Sequence, residues 1–487
     1  MLAHHYLSAL ELLRASELPT VEVAAAARPV LTEAGDHALS LNSYPAAVRF
    51  YDEALALGSP DHAERAPVQF RRARALHMTY RVEADEALEE AREALFAAGD
   101  AEHAAEADAL LAESWWHRGD RDTAFEHLDR AYRLVEGLPS SPGKAHVLSQ
   151  IARFRAIAEE NEEAIRVGQE ALAMAEALGL DGLRAHALNN IGVARFNRGD
   201  ASGIRDVERS LEIALSARSP AAARAYNNLA SLLWTGGDFR RAAPLYDEAV
   251  AAGQRLGDEH TANYSRLIQI QCLLIEGDWD EGLRRADTFL AACDAGESHA
   301  MESDIRRNRA QCRLARDDVD GAIQDIELAL PVARRARDPQ KVFPALVTAA
   351  WIYASIGRHD DARLLAREAI SGASPSWFLG DLAWFAVELD CADELRERFA
   401  HGAIQTKWTD AAGAVLEGDL VGAADIYFEI GDRITEAFAR LRAAEQLIAA
   451  GRRAEADEQL RESLAFWRSV RASRYVRAGE ALLAAVG

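Results

Sequence analysis

The sequence predicts an all-α, right-handed solenoid of antiparallel helix pairs, and three observations predict it. A turn signal recurs about every 40 residues, small residues seven apart follow each turn, and the apolar half of the composition is dominated by Ala.

The turns come first. Asp120, Asp200, Asp238, Asp278 and Asp318 follow Gly119, Gly199, Gly237, Gly277 and Asp317, and Gly357 continues the series, in steps of 80, 38, 40, 40 and 39 or 40. The step of 80 is two units, with Glu159 and Glu160 at the missing turn. Behind the turns stand Ala84 and Ala91, Ala124 and Ala131, Ala164 and Ala171, Ala242 and Ala249, Ala322 and Ala329, Ala362 and Ala369. Residues seven apart share one face of a helix, and small ones there let a neighbouring helix approach closely. Ile204 with Leu211 and Gly282 with Phe289 depart from the pattern, which predicts altered packing in those two units.

Residues before each turn supply the face of a first helix, as in Leu111, Ala112 and Trp115, Ile191 and Gly192, or Leu229, Ala230 and Leu233. Each unit therefore reads helix, tight turn, helix, with helices on the order of 25 Å long. An earlier unit is read around Tyr44, Ala47, Tyr51 and Ala54, and later ones around Gly418 and Gly451. Four segments are expected: a helical cap or junction over 1–28, a main array of about nine pairs over 29–372, an irregular pair over 373–403, and further pairs with a capping helix over 404–487. The step of 61 between Gly357 and Gly418 marks the interruption, where Trp377 and Trp384 stand.

The unit NNLASLLWTGGDFRRAAPLYDEAV has Leu229, Ala230, Gly237, Asp238, Ala242, Tyr246 and Ala249 in an order that resembles the tetratricopeptide repeat. The resemblance covers roughly residues 29–470. A typical repeat of that family has 34 residues, so this chain looks like the lengthened version found in large bacterial ATP-binding regulators and in kinesin light chain. The segments HHYLSALELL, VLSQIARF, AHALNNIGVARF and RAEADEQLRESLAFWRSV are similar to the C-terminal repeat region of actinobacterial cyclase-like and ATP-binding transcriptional regulators. That resemblance implies a sensor that receives a protein or small effector and controls an N-terminal nucleotide-binding module, linked covalently or not.

Charge narrows the partners. Against 55 Lys plus Arg stand 78 Asp plus Glu, a net charge of -23, and such a field repels phosphate backbones and anionic membranes. Direct nucleic-acid and membrane binding are therefore not expected. Residues 81–120 are strongly acidic, suiting a basic patch on a partner, while the last helices are rich in Arg453, Arg461, Arg468, Arg471, Arg474 and Arg477. Cys272, Cys293, Cys312 and Cys391 show no zinc spacing, and MLAHHYLSALELLRA is an amphipathic helix rather than a secretion signal. A cytoplasmic location follows as the expectation.

No cofactor, metal or enzymatic function is expected. GLPSSPGKA, with Gly143 and Lys144, approximates a phosphate loop, but its spacing is one residue too long and Ala145 replaces the metal-binding hydroxyl. It reads as an inter-repeat loop. His146 and His186, like Cys272 and Cys312, are 40 apart and so occupy equivalent positions. An enzymatic site in 373–417 is the remaining alternative, although Trp377, Trp384 and Trp408 suit packing there.

In such a stack the first helices line a concave groove. The register places Trp116, His146, Arg153, His186, Asn189, Asn190, Phe196, Arg224, Asn227, Asn228, Trp234, Tyr264, Gln271, Arg307, Gln311 and Trp351 on it. The paired amides offer donor and acceptor to an extended peptide, or else bond to the adjacent helix; both readings stay open. The function expected is a non-enzymatic scaffold that binds a protein, peptide or small effector in this groove, as the regulatory part of a bacterial signalling or transcription-regulating ATPase or cyclase. A free-standing adaptor for complex assembly is the alternative.

Overall fold

The computed structural model describes residues 2–58, 64–79, 83–118, 120–296, 299–372, 376–402 and 405–484. Gly119 of the turn series lies outside the described residues. The described residues form twenty-five α-helices and one 3₁₀ segment, with no strand among them. They are α1 Leu2–Ala15, α2 Val21–Ser40, α3 Tyr44–Ala56, α4 Arg65–His77, α5 Ala84–Ala97, α6 Ala101–His117, α7 Arg121–Val135, α8 Pro142–Ile157, α9 Asn161–Ala177 and α10 Asp181–Asn197. Next come α11 Ser202–Ser216, α12 Ala221–Thr235, α13 Phe239–Leu256, α14 Glu259–Glu276, α15 Trp279–Asp294, α16 Glu302–Ala315, α17 Val319–Ala336, α18 Pro339–Ser355 and α19 His359–Ser371. The 3₁₀ segment Ser376–Phe385 then leads to α20 Ala392–Ala400, α21 Lys407–Glu417, α22 Leu420–Ile430, α23 Arg433–Ala449, α24 Arg453–Ser469 and α25 Ser473–Ala484.

The Gly-Asp signal does two jobs at once. Gly237, Gly277 and Gly418 close their helices at φ of 87°, 95° and 79°, a left-handed conformation that costs glycine little. Asp238 and Asp419 then cap the next helix by accepting from the N–H groups of Arg241 and Gly422. Where the sequence lacks glycine, Glu159 and Asp317 take the same conformation at φ of 66° and 67°. Each Ala of the six pairs seven apart is buried, so these residues form the contact surface between helices.

The two departures have distinct causes. In α11 the small pair has slipped by one residue to Gly203 and Ser210, both buried. A Cβ on Gly203 would collide with the Gly192 carbonyl of α10, so the two helices touch backbone to backbone. In α15 the small Gly282 is kept where a Cβ would meet the Leu274 side chain, and the buried Trp279 donates to the Leu274 carbonyl at 2.8 Å.

Two compact units result, one of residues 1–155 and 166–187, the other of 156–165 and 188–487. The expected boundary at 28/29 falls inside α2, and the one at 372 does not separate compact bodies. In the first unit α2/α3, α4/α5 and α6/α7 are antiparallel pairs. The second contains the pairs α12/α13, α14/α15, α16/α17 and α18/α19, together with α21 to α25.

The C-terminal helices are not an independent stack. Trp408 Nε1 of α21 donates to the Trp234 carbonyl at 2.8 Å, Arg240 to the Phe428 carbonyl at 2.8 Å, and Arg433 of α23 to the Glu276 carbonyl at 2.8 Å. Arg316 donates to the Val470 carbonyl at 3.1 Å, Arg474 to the Ser355 carbonyl, while Arg471 and Arg477 pair with Asp280 and Asp317. Successive intra-repeat turns of the second unit thus meet successive C-terminal helices, and one hydrophobic core spans both sets.

Candidate binding site

The first-helix faces of the two units are used differently. In the first unit the expected groove residues form ladders between equivalent positions of neighbouring repeats. His77 of α4 lies 3.5 Å from Glu113 of α6, which accepts from Arg153 of α8 at 2.6 Å. His146 lies 3.5 Å from Glu106, and Ser149 bonds to His186 at 2.5 Å. The neighbouring His146 ring holds the Glu106 carboxyl below its usual range, against the burial that would raise it. Trp116 packs edge-on to Phe125 and against Phe154, with centroids 6.3 and 5.5 Å away. Trp116, His146, Arg153 and His186 all remain partly exposed.

The phosphate-loop candidate is a helix cap. Lys144, buried, donates to the carbonyls of Glu136 and Leu138 at 3.0 and 2.9 Å, closing the end of α7, and the Gly143 N–H is taken by Glu102 at 2.9 Å. A carboxylate therefore stands where a phosphate would have to sit.

In the second unit several expected groove residues are engaged within the chain. Asn189, Asn190 and Asn227 are buried, Asn227 accepting from Ser265 of the next first helix at 3.1 Å, and Phe196 belongs to the core. Asn227 and Ser265, 38 residues apart, sit at equivalent repeat positions, so the packing of successive helices satisfies Asn227, while the buried Asn189 oxygen finds no such hydroxyl. Trp234 and Trp351 meet the C-terminal part of the chain: Trp234 through Trp408, and Trp351 through Phe385 and Phe438 at 6.3 and 5.8 Å. Lys341 covers the Tyr264 ring, 5.9 Å from its centroid, and pairs with Asp304 at 2.5 Å; Arg307 reaches the same carboxylate at 3.3 Å. Arg224, Asn228, Gln271 and Gln311 stay partly exposed.

Sequence reasoning missed a partly open aromatic cavity of about 40 Å³ where the repeats meet the C-terminal helices. Trp279, Gln311, Trp351, Asp381, Trp384, Thr435, Phe438, Trp467 and Tyr475 contribute to its wall. In the stretch 373–417, Trp384 packs on Phe438 with centroids 5.2 Å apart, and the side chain of Trp377 lies outside the described residues. Cys272 and Cys312 are buried, and burial pushes the Cys312 thiol up to about 12, as expected of packed apolar groups. Among the described residues no group of three His, Cys, Asp or Glu could hold a metal ion, and no helix is long and apolar enough to cross a membrane.

A tetratricopeptide-repeat family model matches residues 103–177 and 183–255. Those two stretches carry tetratricopeptide repeats. The crystal structure of a Rap protein complexed with competence and sporulation factor is similar in fold, with a TM-score of 0.53 over 70% of this chain and 96% of that one at 14% identity. A signal transduction ATPase with a tetratricopeptide repeat sensor from Pyrococcus horikoshii gives 0.45 over 78% of this chain and 57% of that one at 15% identity. The apo quorum sensor NprR from B. thuringiensis gives 0.34 over 83% of this chain and 99% of that one at 14% identity. No curated protein matches the sequence.

Proposed function

We propose that this tetratricopeptide-repeat chain is a non-catalytic scaffold that binds a protein or peptide on the first-helix face of its first unit. In this reading it serves as the sensor part of a bacterial signalling or transcription-regulating ATPase or cyclase. The observation that carries the proposal is the ladder of Glu106, Glu113, His146, Arg153 and His186. Buried or half-buried ionisable groups cost stability unless paired, and alternating apolar side chains would pack these helices at lower cost. A partly exposed row of donors, acceptors and Trp116 at repeat spacing suits an extended polypeptide.

Further support comes from the Rap structure, whose similar fold holds the competence and sporulation factor. The same face would serve a free-standing adaptor, so the sensor role is decided by what the chain is linked to in its cell. The face itself is tested by crosslinking capture from the native cell with Trp116→Ala and Arg153→Lys. Lys keeps the charge beside Glu113 but loses the planar two-pronged donor. Both variants should retain native helicity and recover about tenfold less partner. Undiminished recovery by both would remove this face from the proposal.

A further inference from the structure

The cavity of the second unit has a chemistry of its own. Its rings meet nearly edge to face: Trp384 and Phe438 at 88°, Phe438 and Tyr475 at 76°, Trp279 and Trp467 at 68°, Trp351 and Phe438 at 64°. Such turning walls form a box of aromatic surface. The faces of these rings carry negative potential, and Asp381 adds a carboxylate to the same wall. No Lys, Arg or His is among its lining residues. Asp381 is thus the charged side chain among the described lining residues, while Arg442 and Arg316 lie over the Phe438 and Trp279 rings, 4.9 and 5.7 Å from their centroids, outside the lining.

From this geometry we infer that the cavity is a binding site for a small organic ammonium group, with the aromatic box around the cation and Asp381 as its counter-ion. The volume suits it. A space of about 40 Å³ holds roughly three water-sized bodies, enough for the methyl end of an ammonium headgroup whose remainder reaches into the open side of the pocket. The polar positions on the wall, Gln311 and Thr435, can accept from or donate to a short polar tail.

The electrostatics around Asp381 agree. Burial, with Asp432 at the start of α23 beside it, raises its carboxyl to about 6, and Arg307 of α16 only partly offsets this. Asp432 is itself held by the N–H groups of Ile434 and Thr435, both at 3.1 Å, and by the Thr435 hydroxyl at 2.7 Å, so it is committed to capping α23. The Tyr427 phenol, pushed up by burial and by these two carboxylates, stays neutral. A bound cation would add to Arg307 as counter-charge for Asp381, and it would bind less tightly once Asp381 is protonated.

This site is separate in residues from the partner face of the first unit, and neither stands or falls with the other. The test is a fluorescence titration of the full chain, whose Trp279, Trp351, Trp384 and Trp467 report directly on the cavity. Choline is the probe, and 3,3-dimethylbutanol, of the same shape without the charge, is the control. Choline should shift the emission with saturation, the alcohol should not, and Asp381→Asn should weaken choline about tenfold or more while leaving the fold intact. A trimethyllysine peptide forms the second arm. Saturation by choline identifies a free small molecule, and saturation by the peptide alone places the same headgroup on a polypeptide; both uphold the cation assignment. Equal responses to choline and the alcohol, an Asp381→Asn variant that binds choline normally, or no response to either cation would overturn it.

Discussion

Replacing Asp325 by Ala should destabilise the second unit more than any surface ion-pair change. Asp325 is fully buried and accepts from Arg309 Nε and Nη2 at 2.9 and 2.6 Å and from Arg313 at 3.0 Å, with Arg306 a further 3.9 Å away. Removing one partner of a buried pair costs about 3–5 kcal/mol, because the remaining charges lose their compensation. Here the three arginines keep other partners: Arg309 retains Asp287 at 2.7 Å, Arg306 retains Glu302 at 2.9 Å and Asp294, and Arg313 retains the Gly321 carbonyl at 3.2 Å. The loss should therefore fall at the lower end, about 3 kcal/mol, or roughly 5 °C in Tm for a body of this size. Urea unfolding followed by circular dichroism, repeated at high salt, is the assay. The deficit should persist in salt, since buried charges are poorly screened. A loss below about 1 kcal/mol, the range of exposed pairs, would refute the view that this carboxylate organises α15, α16 and α17.

Gly203→Ala should cost about 3 kcal/mol, because its Cβ would run into the backbone of α10, where nothing flexible can give way; thermal melting checks it. Gly237→Ala should cost more than Gly99→Ala by about 1 kcal/mol, since both have positive φ but only Gly237 faces a close neighbour, Lys407; equal losses would argue against the docking of α21 on that turn. Asp381→Asn should raise Tm at about pH 7.5 and not at about pH 4. The folded carboxyl titrates near 6 instead of 3.8, so its favourable contribution is complete below the lower value and is lost as pH rises through the higher one. A pH-independent effect would contradict that sign.

Local rules made the repeats legible. Gly237, Asp238, Ala242 and Ala249 each answer to a requirement within one helix-turn-helix: a left-handed turn, a cap, a close helix contact. The return of the C-terminal helices was not legible, because the bonds that fix it use backbone carbonyls as acceptors, as in Arg433 with Glu276 and Arg316 with Val470. Any residue offers a carbonyl, so such pairings leave no periodic trace. One signal was present in the basic excess of Arg471, Arg474 and Arg477, which find Asp280, the Ser355 carbonyl and Asp317. The amides were the harder case. Asn189 and Asn227 look like peptide receptors by spacing, yet that same spacing places Asn227 against Ser265 of the next repeat.

That a partner lands on the first unit, while the face of the second is covered by its own C-terminal helices, can be tested by placing a photoreactive benzoylphenylalanine at position 116 or at position 351 of the full chain. Irradiation in the native cell should yield an intermolecular adduct from position 116 and only intramolecular products from position 351. An intermolecular adduct from position 351 with none from position 116 would contradict the account.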